Sequence, residues 1–202
     1  MGQTGVSKSA FVNALMGVSP NEPGAAACGI RETTKVAAEY TARLGGIVDV
    51  LIMDTPGVGT ARYPAEKLDE FWCVHNLDRF DLIIVMYAQR FMGDSVELTK
   101  MCLIHDKQVI IVRSKADEDV QNTLESMNQT GPLQLVEPLV RGTMDGEIKA
   151  NLRGCVVPQY FLISTRSRFF DWNSLLSYSQ CVAQRQSILD WKRQNVDQPS
   201  RY

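Results

Sequence analysis

Eight residues near the start of the chain, Gly2-Gln3-Thr4-Gly5-Val6-Ser7-Lys8-Ser9, have the types and spacing to hold a phosphate. They fit G-x-x-x-x-G-K-[ST] at Gly2, Lys8 and Ser9, with Ser7 where the second glycine belongs. In such a loop the backbone N–H groups from Thr4, Gly5, Val6 and Ser7 through Lys8, Ser9 and Ala10 surround phosphate oxygens at a helix N-terminus. Lys8 brings a mobile cation to the β and γ oxygens, and the Ser9 hydroxyl suits Mg²⁺. If the backbone at Ser7 is left-handed, a side chain there costs about 1–2 kcal/mol, or roughly ten-fold in affinity. The expectation is a cradle that is impaired but usable.

Other chemistry follows in a telling order. Ile52-Met53-Asp54-Thr55-Pro56-Gly57 places an acid at the end of an aliphatic run and a glycine three residues on. Asp54 there holds a metal through water, and the Gly57 N–H reaches a γ-phosphate. Thr33 and Thr34 lie in the loop after the first helix, where Thr34 or Thr33 closes over the metal as a switch. Ser114-Lys115-Ala116-Asp117 follows one strand, and Ile163-Ser164-Thr165 follows the last. All these positions fall on the edge where open α/β sheets bind ligands.

Asp117 decides the base. A carboxylate accepts hydrogen bonds from guanine N1–H and the 2-amino group, both charge-assisted. Adenine leaves that acid unpaired, a strong basis for discrimination. Lys115 lays its aliphatic stem along the base face. Ser114 stands where Asn or Thr is usual, keeping a hydroxyl with less reach. GTP or GDP with Mg²⁺ is the expected ligand set.

The elements that must position these residues are legible from periodicity. AFVNALMG continues the loop as a helix and stops at Gly17. Residues 19–29 carry Pro20, Pro23 and Gly24 and read as loop. KVAAEYTARL and IVDVLIMD, separated at Gly45-Gly46, read as an antiparallel hairpin. FDLIIVMYA and KQVIIVRS are strands covered on both faces. Helices are expected over 62–77, 94–106, 117–127 and 145–153, then a last strand, PQYFLIS, and a last helix from Asp171 to Arg193. Leu175, Leu176, Tyr178 and Val182 form the packing face of that helix. The fold class is therefore α/β with a mostly parallel sheet and one antiparallel hairpin strand.

Bulk properties narrow the classes further. The 202 residues suit one domain, read as 1–193 with a frayed tail over 194–202. A net charge of −2 gives no electrostatic case for nucleic acid or an anionic membrane. Five scattered cysteines without a C-x-x-C pair point to a reducing, cytoplasmic setting.

Beyond the shared motifs, several stretches resemble one family. They are Phe11-x-Asn13-Ala14-Leu15, Gly24-Ala25-Ala26, Gly29-x-x-Glu32-Thr33-Thr34, Asp54-x-Pro56-Gly57-x-Gly59-Thr60, and Phe80-Asp81 with Ala88-x-Arg90-Phe91. The chain is similar in these to the interferon-inducible, immunity-related GTPases, within the P-loop GTPase superfamily, and the likeness is strongest over residues 2 to about 117. The resemblance implies a three-layer P-loop fold and GTP hydrolysis coupled to self-association as a homodimer or oligomer. It also implies defence against pathogens and peripheral association with intracellular membranes. It points to Glu32 as a carboxylate that positions water or a facing subunit's nucleotide, and makes Glu32, Thr34 and Lys8 the catalytic group. Members have a leading strand before the phosphate loop, so the expectation is an incomplete G domain with the strand's slot open to a partner or neighbouring segment. Val58 replaces the glutamine that orients water in Ras-like enzymes. Two functions are therefore expected: a slow, concentration-dependent GTPase, or a nucleotide-holding interaction module without meaningful catalysis.

Overall fold

Helical periodicity and aliphatic runs resolve into five α-helices and five strands among the described residues. The computed structural model describes residues 1–29, 36–44, 48–128, 136–164, 173–175 and 177–179. In chain order the elements are α1 (Lys8–Met16), β1 (Ala38–Leu44), β2 (Val48–Asp54), α2 (Leu68–Val74), β3 (Leu82–Tyr87), α3 (Asp94–Ile104), β4 (Gln108–Arg113), α4 (Ala116–Ser126), α5 (Glu137–Asn151) and β5 (Gln159–Leu162). The α/β P-loop fold class read from the sequence is the one observed.

β3, β4 and β5 form a parallel sheet in which Leu82 pairs with Gln108 and Ile110 with Gln159. Their aliphatic runs are uninterrupted because helices cover both faces: Val85, Ile110, Ile111 and Val112 are completely buried. Tyr87, Ile111 and Leu162 join Val140, Met144 and Ile148 of α5 in one core cluster. Met86, Ile110 and Val112 join Val6 and Phe11 in another. Leu175 and Tyr178 pack there too; Leu176 and Val182 lie outside the described residues.

β1 and β2 pair antiparallel from Ala38–Asp54 to Leu44–Val48, as expected of the hairpin. They form a separate two-stranded sheet, so the single sheet expected from the sequence is divided in two. Between β2 and β3, among the described residues, the pairing consists of isolated parallel bridges, Gly2 to Met86 and Gln3 to Val58. A full ladder needs several consecutive rungs, and two bridges do not make one.

α5 corrects a boundary. The expected start at 145 is too late, since the helix runs from Glu137 to Asn151. Gly142 and Gly146 argue against helix by propensity. The stripe Val140, Met144, Ile148 overrides them by burying one face in the core.

Candidate functional site

α1 begins at Lys8, directly after Ser7, whose backbone is left-handed with φ 64° and ψ 29°. The strained conformation foreseen for a substituted glycine is the one present. The Ser7 carbonyl accepts the Phe11 N–H at 2.9 Å, so the loop leads straight into the helix. The Lys8 ammonium donates to the carbonyls of Gly2 (3.1 Å) and Gln3 (2.8 Å), closing the loop on itself. Two glycines are required by close approach. A Cβ on Gly2 would lie 2.1 Å from the Met86 carbonyl oxygen, and one on Gly57 would lie 2.2 Å from Thr4 Oγ1. Gly57 is thus pressed against the phosphate loop.

The strand end supplies the acid. β2 delivers Asp54 into a buried position, where Ser9 Oγ donates to its Oδ2 at 2.6 Å. A hydroxyl and a carboxylate in contact are two hard oxygen donors of the kind Mg²⁺ takes. Next to them Thr55 is buried, and its Oγ1 makes no hydrogen bond among the described residues. The field of Asp54 extends outward: after burial, its charge is the next cause holding the Cys28 thiol and the Tyr40 hydroxyl above their ordinary pKa.

Asn13 explains one of the sequence resemblances. Its side chain donates to the Ala26 carbonyl at 2.9 Å and accepts the Ala26 N–H at 2.6 Å. The Phe-x-Asn-Ala-Leu stretch therefore pins the Gly-Ala-Ala loop against α1.

At the other end, Ser114 is fully buried and its hydroxyl donates to the carbonyls of Val6 (2.9 Å) and Tyr87 (3.2 Å). Its reach, expected to be short, suffices to tie the end of β4 to the phosphate loop. Lys115 is left-handed (φ 59°) and caps α4, which puts Asp117 in the first helical turn. The Ala116 N–H donates to the Ile163 carbonyl at 3.0 Å, bringing the fully buried Ser164 beside this segment. The phosphate loop, Asp54, Gly57, Ser114–Asp117 and Ser164 thus share one rim of the molecule. Glu32, Thr33, Thr34 and Thr165 lie outside the described residues.

Val58 points into the core with Phe71 and Trp72, and its N–H donates to the Gly2 carbonyl at 3.2 Å. That position holds no polar side chain. Beside it lies a polar recess that sequence reading missed: Gln3 Nε2 donates to Asp94 Oδ2 at 3.1 Å, and Thr60 lines the same space. Gly59, left-handed at φ 74°, lets Asp94 approach, since a Cβ there would be 2.2 Å from its Oδ2. Thr60 Oγ1 donates to the Gly57 carbonyl at 3.3 Å. The Gly-Thr pair was the available signal, but nothing in the sequence links it to an acid 34 residues later (94 − 60).

A left-handed phosphate loop running into a helix, an acid at the adjacent strand end and a Ser-Lys-x-Asp segment on the same rim define a P-loop protein of the G-domain class. The FeoB G-domain from Methanococcus jannaschii shares the fold, with a TM-score of 0.51 at 14% identity over 91% of this chain and 94% of that one. The chain belongs to the Interferon-inducible GTPase (IIGP) family, whose sequence profile matches residues 1–178. It is 29% identical to mouse (Mus musculus) Interferon-inducible GTPase 1 over 166 residues, 82% of this chain and 38% of that protein. It is 31% identical to Interferon-inducible GTPase 5 of Rattus norvegicus over 168 residues, 82% of this chain and 34% of the relative. The chain therefore spans little more than a third of the relatives it matches. No helix among the described residues is long and apolar enough to cross a membrane.

Proposed function

We propose that the protein binds guanine nucleotide with Mg²⁺ and hydrolyses GTP slowly, at a rate that rises when copies associate. The observation that carries this reading is the Ser114 hydroxyl seated 2.9 Å from the Val6 carbonyl. It supports a single ligand spanning the rim, with phosphates over Thr4–Ala10 and the base at Asp117. Lys8 leaves the loop carbonyls to meet the β and γ oxygens, Lys115 covers the base, and Ser164 with Thr165 closes its far side. Ser9, Asp54 and Thr34 are the residues to hold Mg²⁺, which supplies neutralisation of the phosphate oxygens. Thr33 and Thr34 close as the switch, and Glu32 orients the attacking water. Coupling to a second copy, to defence and to intracellular membranes is proposed on family membership alone.

Binding is tested by thermal melting with Mg·GTP, Mg·GDP and Mg·ATP. At one hundred times Kd, ligand adds about 2.7 kcal/mol, and only the guanine nucleotides are expected to raise the midpoint. Asp117→Asn exchanges an acceptor for a donor where guanine offers its 2-amino group; xanthine offers a carbonyl there. Preference is expected to move from GTP toward XTP by at least about 100-fold. An unchanged ratio removes Asp117 from the base site.

A second reading is favoured by Val58, which the core holds away from any water. On it the protein binds nucleotide without turnover. Phosphate release per enzyme measured over a hundred-fold dilution separates the two. Rates that rise with concentration support the GTPase, and no release above buffer supports the binding module.

A further inference from the structure

The segment proposed to read the base, Ser114–Asp117, is bracketed by two charges: Arg113 directly precedes it, and Asp119 follows two residues later. Across that turn Arg113 Nε donates to Asp119 Oδ2 at 2.8 Å. Both side chains are withdrawn from water, at 9% and 19% exposed. Glu147 of α5 stands 3.9 Å from the same guanidinium and accepts the Phe91 N–H, which anchors the pair from a second element.

A buried pair of this kind is a poor source of stability, because desolvating two charges cancels much of their attraction. What it supplies is direction. Lys115 is left-handed at φ 59°, a conformation that disfavours a side chain and that its surroundings must hold. The backbone of the turn is held by the Ser114 N–H on the Tyr87 carbonyl (2.8 Å), the Ala116 N–H on the Ile163 carbonyl (3.0 Å) and the Asp119 N–H on the Lys115 carbonyl (3.2 Å). Ala116, Val120 and Leu124 pack α4 into the core. The Arg113–Asp119 bond adds what apolar packing does not, a contact with a fixed angle. Residues two apart on an α-helix differ by about 200° around its axis, so Asp117 and Asp119 lie on opposite sides of α4. Clasping Asp119 to Arg113 therefore sets the direction in which Asp117 is presented.

We propose that Arg113 and Asp119 are positioning residues for guanine: their pair closes the turn around Ser114–Asp117 and aims the Asp117 carboxylate at the base. The inference rests on Asp117 reading the base, as proposed above, and concerns the residues behind it. A carboxylate accepts the N1–H and 2-amino bonds together over a narrow range of orientations, because both bonds weaken steeply when bent. Hypoxanthine keeps the N1–H and lacks the 2-amino group. The preference for GDP over IDP therefore measures the aim of Asp117, while the phosphate contacts are common to both ligands.

The test measures Kd for Mg·GDP and Mg·IDP, together with the melting point, in the full chain and its variants. A loss of folded protein multiplies both constants by one factor and cancels in their ratio. The parent is expected to prefer GDP by at least about 10-fold. Asp119→Ala, which leaves Arg113 beside Glu147, is expected to narrow that preference to about three-fold or less, and Arg113→Met to do the same. Asp119→Asn retains an acceptor for the Nε–H and is expected to keep the preference within about two-fold of the parent's. Leu98→Ala, in the separate core cluster around Phe71 and Trp72, is expected to lower the melting point and leave the ratio unchanged. A parent-like ratio in Asp119→Ala overturns the proposal. So does an equal fall in Leu98→Ala, which would make selectivity a by-product of stability. A parent chain that binds GDP and IDP alike overturns the reading of Asp117 itself, and this inference with it.

Discussion

The two flanks of the molecule are held together differently. In the β3–β4–β5 flank a continuous ladder is locked by a buried charge network. Arg113 donates to Asp119 at 2.8 Å, stands 3.9 Å from Glu147, and lies 5.8 Å from the centre of the Tyr87 ring. Glu147 also accepts the Phe91 N–H at 3.2 Å, which fastens α5 to the loop before α3. Within the hairpin Arg43 pairs with Asp49 at 3.7 Å, with both side chains about two-thirds exposed (65% and 69%). The hairpin packs on α1 and is also tied to the rest of the molecule through Ser9–Asp54 and through Arg79, which pairs with Glu39; just beyond it, Val58 bridges Gln3 and donates its N–H to the Gly2 carbonyl. Several of those links are also the proposed ligand site. One flank is a continuous ladder with its own buried charge network, while the other packs on α1 and is joined to the rest in part through residues of the proposed ligand site.

The sharpest way to break that comparison is to remove one arginine from each flank. Arg113→Ala leaves Asp119 and Glu147 without their buried partner and is expected to cost about 3–5 kcal/mol. Arg43→Ala is expected to cost less than about 1 kcal/mol, because exposed pairs are screened and mobile. Urea unfolding of the two variants checks this; similar losses would mean that the hairpin carries as much of the stability as the parallel sheet.

Lys8→Ala sharpens the comparison next. It removes the only mobile cation of the loop sequence and is expected to weaken guanine-nucleotide binding by on the order of 100-fold, about 2–3 kcal/mol. The ligand-free protein is expected to melt within a few degrees of the parent, since Lys8 donates to the Gly2 and Gln3 carbonyls of its own loop, a local closure rather than a core contact. Calorimetric titration with Mg·GDP and melting without ligand separate the two effects. A variant that binds as before would detach the seam from the ligand.

The parallel flank was legible in the sequence because its aliphatic runs have one physical reading: strands with both faces covered. The hairpin was legible through alternation and the Gly45-Gly46 break. α5 was not fully legible, because two glycines speak against a helix that tertiary burial supports. The site was read through types at fixed spacing, which reports local chemistry well. Asp94 escaped because its partner Gln3 lies 91 residues away, and no local pattern joins them. The separation of the two sheets depends on whether bridges extend into a ladder, a long-range property that no window of residues reports.

The smallest expected effect concerns the seam's own strain. Ser7 is left-handed at φ 64°, a conformation that costs a side chain about 1–2 kcal/mol. Ser7→Gly relieves it, yet glycine also loses more freedom on folding, by about 0.5–1 kcal/mol. The net gain expected is therefore only about 0.5–1 kcal/mol, since no capping bond from the Ser7 side chain is lost. Because the strained conformation belongs to the folded loop itself, that gain is expected as a slightly higher melting point, while the Kd for Mg·GDP falls only by whatever further strain the bound state adds. Tighter binding without a higher melting point would place the strain in the liganded loop alone. A higher melting point without tighter binding would place the same strain in the free and the liganded loop.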